Sequence, residues 1–254
     1  MCAAVVKESP GLLGLSVDIV NRILCSIDSP DTLANTVVSC RSLYNLFKEN
    51  QDVITRQVVI NCIGTQVLPE AAVLYKCRPP YYRRHENQPW RLEERKESEL
   101  VEYTVDFVNN LQRPTLPSLR FSLDDALALE RTHSSITTLR DRCIKSCADL
   151  KVTMSLKGSL LTLPPSPAET ARIDRALYRF DLFRKLFNYL HGRWGYFPAG
   201  GMDNKVVHDF FINFSAWENT QLGCIHDLLV SQIMSGMLVT PQNAFGLFGD
   251  RTGH

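Results

Sequence analysis

The fold is decided near the start of the chain, in the stretch Leu15-Ser16-Val17-Asp18-Ile19-Val20-Asn21-Arg22-Ile23-Leu24. Its apolar residues recur at spacings of three and four, the period that places side chains on one face of an α-helix. Ser16 stands at the position of an N-cap, directly before this pattern begins. The stretch therefore predicts an amphipathic helix that starts after Ser16 and carries Ile27 as its last apolar residue.

A new helix is predicted after a short break. In Asp28-Ser29-Pro30-Asp31, Ser29 suits the N-cap and Pro30 suits the first helical position, where the missing N–H of proline has no partner to lose. One apolar stripe then predicts a single helix through the residues Leu33, Val37, Cys40, Tyr44 and Phe47. The next apolar segment, 53–63, ends at Gly64 and fits a buried strand as well as a buried helix.

Helical periodicity also dominates the rest of the chain. A short helix is expected over 69–77, whereas residues 78–96 combine prolines and charges without a period and predict a surface loop. Further helices are expected over about 97–113, from Ser122 onward, after the capping box Ser166-Pro167-Ala168-Glu169, and over 205–214 and 218–238. The chain is therefore predicted to be mainly α-helical.

The helix that follows Ser166 carries an aromatic face. Phe180, Phe183 and Phe187 lie on it, and a face this apolar must be covered in the folded protein. We expect Phe180 and Phe187 to be buried against the helix over 222–233, at the centre of a C-terminal core.

Composition excludes several classes of protein. The 254 residues hold 28 Lys and Arg against 27 Asp and Glu, and a formal net charge of +1 argues against a protein that grips nucleic acid through a basic surface. No apolar run approaches the ~18 residues of a membrane-spanning helix, and the N-terminus lacks the positive start of a signal peptide. Eight cysteines are sparse for a disulfide scaffold, so we expect a reducing compartment, cytoplasmic or nuclear.

The sequence contains no recognisable catalytic or metal-binding motif. Cys143 and Cys147 share a helix face, while Cys224 and His226 are two residues apart and point in different directions on a helix. Structural zinc normally needs four ligands, so these cysteines are expected to pack in a core. No Gly-x-Ser-x-Gly and no P-loop is present. We therefore predict no catalytic residue, no metal and no cofactor.

A row of arginines leaves two interpretations open. Arg172, Arg175 and Arg179 follow one edge of their helix at spacings of three and four. They suit an acidic partner segment or a phosphate, or else form a solvated flank that pairs with local acids such as Asp174 and Asp181.

The first fifty residues resemble the F-box, a short three-helix module. The resemblance lies in the opening stretch and in two later segments, Ile27-Asp28-Ser29-Pro30-Asp31-Thr32-Leu33 and Val38-Ser39-Cys40-Arg41-Ser42-Leu43-Tyr44. Ser16 departs from the family, which usually has proline there, and Leu43 or Tyr44 stands where many members have tryptophan. Segments 58–72, 171–179, 186–187 and 214–227 are similar to F-box-like proteins of filamentous fungi.

The resemblance implies a function and a set of partners. F-box proteins dock onto the Skp-family adaptor of a cullin-RING ubiquitin ligase and present a protein substrate through the rest of the chain. Docking of short helices in a groove needs apolar anchors. The apolar family positions, some of which face the adaptor and some the module's own core, are Leu15, Ile19, Ile23, Leu24 and Leu33.

These expectations together define a predicted organisation. Residues 1–11 are a disordered N-terminus, 12–50 the F-box-like module, 51–240 an irregular helical domain on which the module packs, and 241–254 a frayed tail. The predicted function is that of a substrate-recruiting subunit of an SCF-type (Skp–cullin) ubiquitin ligase, with an unknown protein substrate and no enzymatic activity of its own. Two alternatives stay open, namely a helical binding scaffold that keeps the F-box fold without assembling into a ligase, and a cysteine-dependent enzyme.

Overall fold

The computed structural model describes residues 15–79, 94–153, 164–191 and 204–238, and all regular structure in these ranges is helical. The predicted mainly α fold is confirmed. The helices are α1 (Val17–Ser26), α2 (Pro30–Ser39), α3 (Arg41–Glu49), α4 (Gln51–Ile63), α5 (Leu68–Lys76), α6 (Glu94–Asn109), α7 (Leu123–Thr153), α8 (Pro167–His191), α9 (Asn204–Ile212) and α10 (Ala216–Leu238). The predictions for 1–11, for most of the loop at 78–96 and for the tail at 241–254 lie outside the described residues.

The chain divides into two compact units. Unit 1 comprises Met1–Lys76 and Gln112–Ser135, and unit 2 comprises Cys77–Leu111 and Ile136–His254. The predicted boundary at residue 50 does not coincide with this division. Ile54 and Val58 of α4 belong to the same buried cluster as the core residues of α1, α2 and α3.

An aliphatic core holds unit 1 together. α1 packs along α4, and α2 contacts both α3 and α4. Each of the first three helices contributes two buried residues four positions apart, which are Val20 and Leu24, Leu33 and Val37, and Leu43 and Phe47. A spacing of four keeps each pair on one side of its helix. Residues 17–49 therefore form the expected three-helix arrangement, with all three helices turned toward one core.

The prediction of a single helix from Leu33 to Phe47 is wrong at Cys40. Cys40 has an extended backbone (φ −149°, ψ 128°), which ends α2 and lets α3 begin at Arg41. The interruption shifts the helical phase, so that Leu43 is buried and Tyr44 is exposed. A stripe with a 3.6-residue period has meaning only along an unbroken helix.

The apolar segment at 53–63 forms α4, a helix buried on two adjoining sides. Ile54 and Val58 lie on one side, and Thr55 and Val59 lie one residue further round. A helix covered on more than one side shows no clean amphipathic period, which is why its pattern also fits a strand. Gly64 ends the helix with a φ of +85°, a conformation that residues with a Cβ rarely adopt.

Unit 2 is built around an aromatic core in which α8 meets α9. The ring centre of Phe187 lies 4.8 Å from that of Phe183 and 5.7 Å from that of Phe210, and Phe210 lies 5.1 Å from Phe214. The predicted burial of Phe187 is confirmed, and its aromatic neighbours come from α8 and α9. Phe180 is only partly buried, contrary to expectation, and its ring lies 6.5 Å from that of His226 on α10.

An ion pair joins α8 to the start of α10. Arg179 Nη2 donates a hydrogen bond to Glu218 Oε1 at 2.7 Å, and the guanidinium lies 5.3 Å from the centre of the Phe214 ring. The Arg179 side chain is buried, so it does not belong to a solvated flank. Asp174, expected to pair with a neighbouring arginine, forms an ion pair with Arg140 of α7 at 3.0 Å.

Within the described ranges, no single helix has both the length and the apolar character needed to cross a membrane. Among the described helices, α4 and α5 have that length and apolar character only when taken together, across a bend of 111°, and the apolar residues of both are mostly buried in the folded chain.

Truncation of Phe187 tests the aromatic core. Phe187 is 1% exposed, and Phe→Ala at a buried site typically lowers the free energy of unfolding by about 3–5 kcal/mol. We expect this loss in urea denaturation of the full chain followed by circular dichroism. Ile212→Ala on α9 is the matched control, because Ile212 is exposed and its truncation should change stability by less than about 0.5 kcal/mol. Equal effects of the two substitutions would contradict the assigned core.

Candidate functional site

Exposed apolar side chains concentrate at the N-terminal end of the described chain. Among the side chains whose exposure the structure describes, ten large apolar residues are exposed, and seven of them lie between residues 15 and 53. They are Leu15, Val17, Ile19, Ile23, Val38, Tyr44 and Val53. Single exposed apolar residues are normal on a protein surface, but several within a few helices are typical of an interaction site.

α1 carries more apolar surface than its core contacts use. Val20 and Leu24 are buried, whereas Ile19 is 46% and Ile23 is 38% exposed. Successive residues of a helix are about 100° apart, so Ile19 and Ile23 form a second apolar row beside the buried one. We call Ile19 and Ile23, together with the exposed Leu15 just before the helix, the α1 face.

The structure sorts the five predicted partner-binding residues into two groups. Leu15, Ile19 and Ile23 lie on the α1 face and are accessible to a partner. Leu24 and Leu33 are 1% and 0% exposed and belong to the core of unit 1. These two residues are therefore members of the set that face the module's own core, and the role of the set in partner binding stays a prediction.

Ser16 begins α1 through its backbone. Its carbonyl accepts hydrogen bonds from the N–H groups of Ile19 and Val20 at 3.0 and 3.1 Å. Its side chain makes no capping hydrogen bond. Its φ of −64° and ψ of 151° match the backbone that proline adopts, so the serine occupies a position whose geometry suits the usual residue of the resembled family.

The C-terminal end of α1 is held by a side chain from α4. Asn61 Nδ2 donates hydrogen bonds to the carbonyl oxygens of Cys25 and Ile27, at 2.8 and 2.9 Å. The last carbonyls of a helix have no partner within the helix. Asn61 satisfies two carbonyls at this end from a position 34 and 36 residues away in sequence.

The N-terminal end of α2 is held by a side chain from α7. Ser29 Oγ donates to Glu130 Oε1 at 2.7 Å, and the backbone N–H of Asp31 donates to Glu130 Oε2 at 3.0 Å. Ser29 Oγ also accepts from the N–H of Thr32 at 3.2 Å, which confirms Ser29 as the N-cap. A carboxylate at a helix N-terminus accepts otherwise unpaired N–H groups and is favoured by the helix dipole.

Sequence reasoning missed both Asn61 and Glu130. Neither belongs to a motif, and each interacts with residues far away in the chain. Their only sequence signal is a polar side chain on a helix, which many exposed residues share.

The cysteines and histidines do not assemble into a metal site in the described residues. No group of three or more His, Cys, Asp or Glu side chains there has the arrangement to hold a metal ion. Cys143 is buried as expected, but Cys224 is exposed, which corrects its predicted place in a core. The side chain of Cys147 lies outside the described residues, and His226 Nδ1 lies 3.1 Å from Asp227 Oδ1.

The cysteine thiols differ in acidity because their surroundings differ. Burial raises the pKa of Cys62 to about 11, with the carboxylates of Glu130 and Asp28 acting in the same direction. Burial also raises the pKa of Cys77 to about 11. The N–H groups of Leu43 and Ser42, at the start of α3, instead lower the pKa of Cys40.

Comparisons of the chain with protein-family models, with curated proteins and with solved structures find no match. Any link to the F-box therefore depends on the residues quoted from the sequence and on the geometry of unit 1.

Alkylation at neutral pH tests the ranking of the thiols. The thiolate is the reactive form, so Cys40 is expected to react with iodoacetamide well before Cys62 and Cys77, which stay protonated until the pH approaches about 11. Peptide mass spectrometry at successive times gives the rates. In urea the three rates should converge, because the surroundings that separate them are lost. A Cys77 that reacts as fast as Cys40 in the folded chain would contradict the assignment.

Substitution of Ser16 tests the geometry at the start of α1. Ser16→Pro keeps the observed φ, removes no capping bond and restricts the unfolded chain, so it should stabilise the protein by about 0.4–1 kcal/mol. Urea denaturation of the full chain measures this change. Ser29→Pro is the contrasting variant, since it removes a cap that is in use and places proline at φ −131°; it should destabilise. Destabilisation by Ser16→Pro would show that the Ser16 N–H or side chain has a role at this position.

Proposed function

We propose that this chain is a protein-interaction subunit that recruits a substrate to an SCF-type ubiquitin ligase, with the α1 face docking onto the Skp-family adaptor. The observation that carries the proposal is the row of apolar side chains left exposed on α1, within a three-helix arrangement whose sequence resembles the F-box. The chain then acts in the cytoplasm or nucleus, where the adaptor and the cullin are its partners.

The α1 face has the chemistry of a helix that docks into an apolar groove. Such helices insert anchors that recur at i and i+4, as Ile19 and Ile23 do, and Leu15 is exposed just before the helix begins. Complete burial of an isoleucine contributes about 1.5–3 kcal/mol. Since Ile19 and Ile23 are 46% and 38% exposed, docking would gain a substantial part of that contribution from each.

Features of unit 2 support the proposed recruitment of a substrate. Unit 2 has its own aromatic core around Phe187 and its own ion pair between Arg179 and Glu218. Two large apolar side chains are exposed close together in sequence, Ile212 at the end of α9 and Trp217 at the start of α10. Exposed tryptophan is enriched among the residues that dominate protein interfaces. Unit 2 is accordingly the part of the chain that we assign to substrate recruitment.

A charge on the α1 face should abolish adaptor binding. Ile19→Asp and Ile23→Asp each place an unpaired carboxylate in an apolar interface, and we expect a loss of affinity of about 100-fold or more. Binding of the full chain to purified Skp-family adaptor by isothermal titration calorimetry measures the effect. Both residues are exposed, so circular dichroism and the unfolding midpoint should change little.

A matched control is available in unit 2. Val230 is 44% exposed on α10, so Val230→Asp adds the same charge to a similarly exposed apolar position and should leave adaptor affinity unchanged. Equal affinity for wild type, Ile19→Asp and Ile23→Asp would refute docking through α1. A folded wild-type chain that does not bind the adaptor would reject ligase assembly and favour a helical scaffold that keeps only the fold.

A further inference from the structure

We infer that Asn61 and Glu130, which lie outside the three-helix arrangement, are positioning residues that hold the α1 face in its docking orientation. This inference deepens the proposed function and rests on it. It also predicts that the segment resembling the F-box is not a self-sufficient binding module in this chain.

The corner between α1 and α2 lacks regular structure of its own. Ile27 and Ser29 both have extended backbones, with φ, ψ of −63°, 138° and −131°, 124°. Within the corner, the backbone bond from Ile27 N–H to the Leu24 carbonyl is long, at 3.4 Å. Local hydrogen bonding therefore constrains the angle between the two helices only weakly.

Two side chains from other helices supply that constraint. Asn61 bonds the corner on its α1 side, through the carbonyls of Cys25 and Ile27. Glu130 bonds it on its α2 side, through the Ser29 hydroxyl and the Asp31 N–H. All four bonds are 3.0 Å or shorter. They attach the end of α1 to α4 and the start of α2 to α7, two helices that lie outside the three-helix arrangement.

The aliphatic core by itself does not fully define the direction in which the α1 face points. Val20 and Leu24 are buried in an aliphatic cluster, and the hydrophobic effect that favours their burial is non-directional. Hydrogen bonds are directional, with donor–hydrogen–acceptor angles that prefer values above about 150°. Asn61 and Glu130 therefore determine how α1 is turned about the core, and with it the direction in which Ile19 and Ile23 project.

The experiment compares Asn61→Ala and Glu130→Ala with two milder variants in the full chain. Glu130→Gln can keep both bonds, because its amide oxygen accepts from Asp31 N–H while its amide nitrogen donates to Ser29 Oγ. Gln57→Ala is the control for Asn61. Gln57 Nε2 donates to Asn61 Oδ1 at 2.8 Å, so its loss leaves the two bonds to the corner in place.

Two readouts separate positioning from general stabilisation. Calorimetric titration with purified Skp-family adaptor gives the affinity, and amide hydrogen exchange gives the local opening of α1 and α2. We expect Asn61→Ala and Glu130→Ala each to weaken binding about tenfold, as the docking-competent fraction falls to about one tenth. Exchange should accelerate in α1 and α2 but not in α4. Glu130→Gln and Gln57→Ala should stay within about twofold of wild type.

Every result of these two measurements either supports or overturns the inference. Unchanged exchange in α1 and α2, or unchanged affinity with faster exchange, would overturn the inference. A uniform rise in exchange throughout unit 1 would assign Asn61 and Glu130 to general stability and would overturn it as well. If wild type itself does not bind the adaptor, the proposed function fails, and the exchange data still decide whether these two residues hold α1. Should Glu130→Ala not fold, Asn61→Ala, which removes the two bonds on the α1 side of the corner and leaves the Ser29 cap intact, decides the inference.

Discussion

The contact between Glu130 and the start of α2 joins parts of the chain that are about a hundred residues apart in sequence. Ser29 and the backbone of Asp31 present their hydrogens to one carboxylate, which lies on α7. This bond helps explain why Gln112–Ser135 belongs to the same compact unit as Met1–Lys76. Without it, the Asp31 N–H would have to find water or another acceptor, whereas the Thr32 N–H would keep its bond to Ser29 Oγ.

Three longer helices bond an N–H group of their first turn to a serine that is close in sequence. α7, α8 and α10 each begin with a serine whose hydroxyl accepts from the N–H three residues later, while an acidic side chain returns a bond to the serine N–H. The pairs are Ser122 with Asp125, Ser166 with Glu169, and Ser215 with Glu218. Self-contained caps define where these helices start, whereas the start of α2 adds bonds from α7 to its own Ser29 cap and the end of α1 is bonded by α4. The corner between α1 and α2, in the region proposed to bind a partner, is thus held in part by tertiary contacts.

The two units achieve stability by different means. Unit 1 packs aliphatic side chains from short helices, as Leu24 and Leu33 show, while unit 2 packs aromatic rings around Phe187 and Phe210. Unit 2 also buries a charge. Arg179 is 2% exposed, and loss of its ion pair with Glu218 is expected to destabilise the protein more than loss of an exposed ion pair.

The sequence by itself determined the helical class, most helix boundaries and the caps at Ser29, Ser122 and Ser166, because these depend on neighbours within about four residues. Only the tertiary structure decided which apolar residues are covered. Ile23 and Leu24 are adjacent and similar in hydropathy, yet one is exposed and the other is in the core. The break at Cys40, the helical state of α4 and the roles of Asn61 and Glu130 were likewise settled by packing and hydrogen bonds between distant segments, about which a local pattern carries no information.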